Sequence, residues 1–321
     1  MKKIISALLL TLTATAGLAQ EWQPTQPIKV IIGQTPGSGN EVVFRQIAKI
    51  VTEKTGAAFV IENHPGMDGT IAWNTLGTRP NDGHHITVQA LETSLVALPI
   101  QYPTQLKTDP NQAVVVTPLA STPEVFVVHK DSAIKNYQDL VAAFQKKSLN
   151  VGTSGSIAAL TYHKFVRDIK SQNQNLQMVP YKSIPSNLTD LVGKSIDVSI
   201  VPAVSTKSLA EAGQIRIISV ADNKSLPTNL PITVMTKHIP DFDVQVTYTM
   251  FLPKNTSPEI VRWYINNFGP VIKDSSTKDL LKNQWTTPFA SPTTDSVQKY
   301  SNEVRRILKP VAEKTLKPVT D

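Results

Sequence analysis

The chain of 321 residues contains 14 Gly, 23 Pro and no Cys, with 40% apolar and 18% charged residues, a composition that excludes a disordered tail, a collagen-like repeat and a disulfide scaffold. Lys and Arg number 32 against 25 Asp and Glu, a net charge of +7. No run of five or six basic residues accompanies that excess, and the densest pair, Arg305 and Arg306, falls on an amphipathic helical pattern, so a solvated helix face is expected there and no nucleic-acid surface.

Residues 1–19 combine a charged start at Lys2 and Lys3, an apolar run at 4–12 and a small-residue exit ending Gly17-Leu18-Ala19. That is the pattern of a cleavable secretory signal, with the cut expected near Ala19/Gln20. A periplasmic location follows, and the lack of Cys suits an oxidising compartment and offers no lipid attachment point. From residue 28 short β-branched runs alternate with helical stretches: a strand at 28–33, a helix from about 40 to 53, a strand at 59–62, a helix from about 70, and a strand at 86–89. Such alternation implies right-handed crossovers and a parallel sheet.

The pattern then repeats. Strands are expected at 125–129, 149–152, 177–180, 196–201 and 215–221, with helices near 137–147, 157–169, 186–192 and 205–212. Pro-marked irregular stretches at 102–114 and 226–243, the latter holding Pro227, Pro231 and Pro240, flank this second unit and read as hinge regions. A strand at 246–253 and helices near 257–273 and 293–316 follow, too little for a third sheet, so they return to complete the first unit. The expected division is a signal peptide at 1–19, the first part of domain 1 at 20–121, domain 2 at 122–222, and a hinge return with completion of domain 1 at 223–321. The fold class is α/β, a two-lobed periplasmic-binding-protein fold (type II-like) with two α/β domains, a hinge and an interdomain cleft. Trp73 and Trp263 fall on helices and are expected in the core.

Open α/β sheets form their crevice at the carboxyl ends of the strands. Three loops there are rich in Gly and small polar residues: 33–41, 63–70 and 152–156. Each precedes a helix, whose free first-turn N–H groups and positive dipole end favour an anion. Taken singly, each reads as a turn with a helix cap; three at one crevice point to an anion site.

The strings Thr35-Pro36-Gly37-Ser38-Gly39, Glu62-Asn63-His64-Pro65-Gly66, Pro80-Asn81-Asp82-Gly83, Gly152-Thr153-Ser154-Gly155, Val179-Pro180-Tyr181-Lys182, Ala212-Gly213-Gln214-Ile215-Arg216 and Ser257-Pro258-Glu259-Ile260-Val261, in this order and spacing, resemble the tripartite tricarboxylate transporter receptors, the Bug-type extracytoplasmic solute-binding proteins. The resemblance runs over essentially the whole mature chain. It implies a periplasmic receptor that binds a small organic acid and delivers it to a separate membrane permease; an amino-acid ligand is the alternative raised by Glu41 and Glu92. It also implies a carboxylate held by backbone amides and ordered waters at Gly37, Ser38, Gly39 and Asn40, at Gly66, Met67, Asp68, Gly69 and Thr70, and at Thr153, Ser154 and Gly155. The chain departs from the family pattern at Ser38, Glu41, Met67, Asp68, Glu92, Ser183 and Ile184, which leaves the scaffold likeness intact and the ligand open.

Glu41 and Glu92 fall, by the strand-end argument, in or beside the crevice loops with no obvious basic neighbour. Either Glu41 caps its helix, or a Glu takes a cationic group on the ligand. Tyr181 is a candidate cleft wall. No catalytic residue is expected: Ser154 lacks the following glycine of a nucleophile elbow, which makes a hydrolase the least favoured class. No metal or cofactor is expected, since the histidines at 64, 84, 85, 129, 163 and 238 include no pair at helical ligand spacing, and no P-loop or dinucleotide fingerprint occurs. The partner is a membrane permease or, as the alternative, a membrane sensor, and the receptor itself is expected to be a monomer.

Overall fold

The computed structural model describes residues 21–290 and 293–319; the expected signal peptide and its cut lie outside the described residues. In chain order the first elements are strand β1 (Ile28–Ile32), helix α1 (Gly39–Thr55), β2 (Phe59–Asn63), α2 (Thr70–Gly77) and β3 (His85–Ala90). The strands pair in parallel, β2 and β3 on either side of β1. All of β1 except Lys29 is buried, which is why the run is nearly continuous in apolar residues and does not alternate. Helix α1 stops where Gly56 takes φ +75° and donates to Thr52 O, a left-handed cap that glycine adopts without strain. A π-helical turn (Thr93–Ala97) and the short α3 (Leu98–Gln101) then lead to β4 (Val114–His129).

The second unit consists of α4 (Tyr137–Lys146), β5 (Leu149–Ser154), α5 (Ser156–Asp168), β6 (Leu176–Tyr181), α6 (Ile184–Val192), β7 (Val198–Pro202), α7 (Lys207–Glu211) and β8 (Ile215–Val220). The chain returns through β9 (Thr233–Val234) and β10 (Gln245–Leu252), and ends in α8 (Pro258–Lys273), α9 (Ser275–Lys282), β11 (Thr287–Pro288) and α10 (Thr294–Thr315). The strand order is β2-β1-β3-β10-β4-β7-β5-β6, with β8 and β11 also on β4 and β9 on β8. This is a two-lobed α/β fold.

Strand β4 belongs to both lobes. Residues 114–123 pair with β10 in the first lobe, and 124–128 pair with β7 in the second. The passage between lobes therefore lies inside one continuous strand, not in the irregular stretch 102–114. It falls two residues from the boundary expected at 121/122; Pro118 and Pro123 cannot donate to the ladder, and the register with β10 slips beside Pro118. The return passage runs alongside, because Ala221 N donates to Glu124 O at 2.9 Å and Glu124 N donates to Val244 O at 3.1 Å. Helix α9 was not foreseen; its start is set by Asp274, whose carboxylate accepts from Ser276 N and Thr277 N.

One apolar core fills the first lobe and continues under α4 and α5 of the second. Phe44, Phe59 and Phe268 pack α1 and α8 against the sheet, with centroids 5.6 to 6.1 Å apart. Trp73 is fully buried with its ring edge-on to Phe251, and Trp263 is 5% exposed. A smaller cluster on the other face of the second sheet includes Leu188, Leu191, Val201 and Trp285. No helix among the described residues is long and apolar enough to cross a membrane.

Candidate functional site

The N-terminus of α1 has the spacing of a capping box but not its bonds. Ser38-Gly39-Asn40-Glu41 reads S-x-x-E, yet Glu41 accepts from Gly37 N at 3.3 Å, one residue before the cap, and Ser38 N donates to Thr35 O at 3.2 Å. Ser38 does not close the box either: its Oγ is buried and makes no hydrogen bond among the described residues. The first backbone bond into the helix is Val42 N to Ser38 O, so the amides of the first turn stay free of backbone partners. Gly39 lets this turn lie against β10, where a Cβ would collide with the Tyr248 hydroxyl.

The second loop is wound left-handed for four residues, with φ +133° at Gly66, +49° at Met67, +54° at Asp68 and +100° at Gly69. Two non-glycine residues in that region cost about 1 kcal/mol or more each. The conformation carries Asp68 across to the second lobe, where its carboxylate accepts from Ser156 N at 2.8 Å and meets the Ser156 hydroxyl. Ser156 Oγ also lies 2.6 Å from Gln101 Oε1. A carboxylate of the chain itself therefore sits on the N-terminus of α5, the place expected for the ligand. Gly155, at φ +84°, leaves room for it; a Cβ there would stand 2.8 Å from Asp68 Oδ1. Burial raises the Asp68 carboxyl above its ordinary range, against the two Ser156 hydrogen bonds that lower it.

The cleft has two compartments that share Gln34, Ser38 and Ile184. The inner void, about 70 Å³, is lined on the first-lobe side by Ser38, Gly39, Asn40, Asp68, Thr93 and Tyr248, and on the second by Ser154, Gly155, Ser156, Ile157 and Pro202. Glu124 lines it at the passage between lobes. The outer groove, about 430 Å³, runs between residues 34–38 and the apolar faces of α6 and α7, with Ile184, Leu188 and Leu209 along its wall. No Lys, Arg or His is among the residues lining either compartment.

Of the residues expected to meet a ligand, the structure brings Ser38, Gly39, Asn40, Asp68, Ser154 and Gly155 to the inner void and Gly37 to the outer groove. Gly66, Met67, Gly69, Thr70 and Thr153 line neither compartment, and Met67 is exposed to solvent. Three expectations are corrected. Glu41 has a basic partner after all, one helical turn on: Arg45 Nε and Nη2 bond its Oε1 at 2.8 and 2.7 Å, and Asn63 bonds its Oε2 at 3.1 Å. Burial would raise this carboxyl, but Arg45, Asn63 and the Gly37 N–H outweigh it and hold it below the usual range. Glu92 is buried away from the cleft, accepting from Thr247 N at 2.9 Å and facing the Tyr300 hydroxyl; burial pushes it up. Tyr181 turns into its own lobe and donates to Asp190 at 2.6 Å; burial, with Asp190 beside it, pushes the phenol up to about 12.

Arg45→Ala is expected to destabilise the protein by about 1–2 kcal/mol near neutral pH, because it strips the partner from a buried carboxylate. Glu41 is held low in the folded state, so that contribution is present above the unfolded pKa and is lost as the pH falls. Urea melts at pH 7 and pH 3 check it: a penalty that does not shrink in acid contradicts the pairing.

The residue that the sequence reading missed is Glu124. The residue is 1% exposed, its Oε2 makes no hydrogen bond among the described residues, and burial alone pushes its carboxyl up to about 8. Only its place at the junction of β4, β7 and the return passage marks it, and no local pattern shows that. Ser154 Oγ, by contrast, accepts from Asn187 Nδ2 at 3.0 Å and lies 3.4 Å from the Ser183 carbonyl, and neither group can take a proton from it.

Comparison with known proteins agrees with this architecture. The protein BugT of Bordetella pertussis (strain Tohama I) is 22% identical over 311 residues, covering 91% of this chain and 94% of that one. Two solved structures superimpose closely: Rpa4515 of R. palustris with adipate (TM-score 0.84, 22% identity, 92% of this chain and 99% of that one), and MatC (Rpa3494) of Rhodopseudomonas palustris with bound malate (TM-score 0.80, 20% identity, 91% and 100%). Residues 43–315 match the tripartite tricarboxylate transporter family receptor, and the chain belongs to that family.

Proposed function

We propose that the chain is a periplasmic receptor that captures a small carboxylate-bearing solute in the cleft and presents it to a membrane permease of the tripartite tricarboxylate type. The observation that carries this reading is the open N-terminus of α1. Ser38, Gly39 and Asn40 line a void with no basic side chain among its lining residues, and the Ser38 hydroxyl and first-turn amides lack partners there, so a carboxylate is held by backbone dipoles and hydroxyls. The adipate and malate bound by the two structural relatives are acids of the same class. The non-acid end of the solute extends into the apolar outer groove. Binding, not catalysis, is the activity.

The mature chain is exported from its signal at about Gln20 and works as a monomer. Its lobes close about Pro123/Glu124 and Ala221/Val244, two residues beyond the boundary expected at 121/122, where the two passages hydrogen-bond side by side. Mature protein, stripped of bound solute by unfolding and refolding, is screened by thermal shift against mono-, di- and tricarboxylates and amino acids. A solute at 100 times its dissociation constant adds about 2.7 kcal/mol of stability. Ser38→Ala is expected to weaken the hit by about 1.5–3 kcal/mol, the loss of one hydrogen bond to a charged group. Undiminished affinity in that variant contradicts the placement of the carboxylate, and the absence of any acid among the hits contradicts the function.

A further inference from the structure

We propose that Glu124 is the specificity residue of the cleft and receives a protonated nitrogen on the solute, so that the ligand is an amino-bearing acid and not a plain one. The proposal rests on the carboxylate site assigned to the N-terminus of α1 and adds the second group of the ligand.

The cleft carries two carboxyl groups and no cation to balance them. Asp68 is already satisfied by Ser156. Glu124 is not: it is buried, its Oε2 is unbonded, and it lines the same small void as Ser38. A buried carboxyl without a partner is costly to the fold, and its position at the meeting of both lobe passages makes it a point that ligand and closure share. The charged and titratable groups that surround the void are the Tyr248 hydroxyl from β10 and Asp68 from the left-handed turn; Glu92 lies beyond Tyr248 and raises that phenol together with burial and Glu124. None of them supplies a positive charge. An ammonium on the solute does so, while its carboxylate lies on the α1 amides.

Burial keeps the Glu124 carboxyl protonated up to about pH 8. An ammonium group needs the carboxylate, so its binding releases one proton to solvent, and affinity rises as the pH climbs toward 8 and levels off above it. A plain acid accepting a hydrogen bond from protonated Glu124 has the opposite dependence.

The test uses solute-stripped mature protein, calorimetric titration at pH 6, 7, 8 and 9, and matched probes: L-aspartate with succinate, L-glutamate with glutarate, 4-aminobutyrate with butyrate. At least one amino member is expected to bind about tenfold or more tighter than its partner. That preference should grow about tenfold per pH unit between 6 and 8, and disappear in Glu124→Gln, with circular dichroism and a melt confirming that the variant folds. Equal or tighter binding of every desamino acid, a preference that survives in Glu124→Gln, affinity that falls as the pH rises through 8, or no binding by any amino member at millimolar concentration overturns the proposal. Succinate binding that Ser38→Ala weakens, with no amino preference, sinks Glu124 and leaves the carboxylate site standing. Conversely, 1-aminobutane binding as tightly as 4-aminobutyrate and depending on Glu124 upholds the ammonium site and sinks the carboxylate one.

Discussion

Asp68→Ala is expected to open the unliganded protein. The wild-type carboxylate ties the left-handed turn of the first lobe to the N-terminus of α5 in the second through Ser156 N and Oγ. Hydrogen bonds to a charged group contribute about 1.5–3 kcal/mol, so the closed-to-open ratio should fall about tenfold or more. Small-angle scattering of the ligand-free variant should give a larger radius of gyration than wild type, and saturating solute should abolish the difference. The variant also frees the α5 amides, and a second solute carboxylate, where present, gains a place on them. A scattering curve unchanged by the substitution means that the bond spans a rigid interface and does not latch a mobile one. Gly155→Val tests the same contact from the other side: a side chain there meets Asp68 Oδ1 on a backbone at φ +84° that a β-branched residue resists. The intruding group is thus opposed by the chain's own carboxylate, where the sequence reading had placed the ligand.

Glu124→Gln is expected to stabilise the unliganded protein in mild alkali. The carboxyl sits at about 8 in the folded chain against 4.5 in the ordinary case. Between those values the folded state holds a proton that the unfolded state has lost, so wild-type stability is highest below the unfolded pKa and falls as the pH rises to about 8. For one fully buried group the accumulated loss is on the order of 4 kcal/mol. Glutamine keeps the shape without the charge and removes that slope. At pH 8 the variant should melt several °C above wild type, at about 2–4 °C per kcal/mol for a chain of this size, and at pH 4 the two should nearly coincide. A variant less stable than wild type at pH 8 means that the carboxyl has a partner in the folded protein. Such a gain in stability for a loss of recognition is common at binding sites.

The alternation of strands and helices, the closing glycine of α1 and the glycine-rich turns before α1, α2 and α5 were legible because each depends on residues within a turn or two of one another. The S-x-x-E spacing at Ser38–Glu41 is local in the same way, although it does not reveal that Glu41 would take the Gly37 N–H instead of the cap's while the Ser38 hydroxyl stayed unbonded. The Arg45 partner of Glu41 was also within reach, four residues along one helix. Strand β4 was only half seen, because its two prolines imitate a linker and its pairing partner β10 lies more than 120 residues away in the chain.

The amino-acid sequence by itself determined the class of fold, the order of its elements and the loops that reach the crevice. Tertiary structure alone decided which carboxylate faces what. Asp68 meets Ser156 across 88 residues of sequence, Glu92 meets Thr247 across 155, and Glu124 is left facing the void because β4 crosses from one sheet to the other at that residue. Local pattern reports the backbone's periodicity, which neighbours set; the environment of a buried charge is set by whatever distant segments pack around it, and in this cleft that packing separates the bonded carboxylates from the one left without a partner at the void.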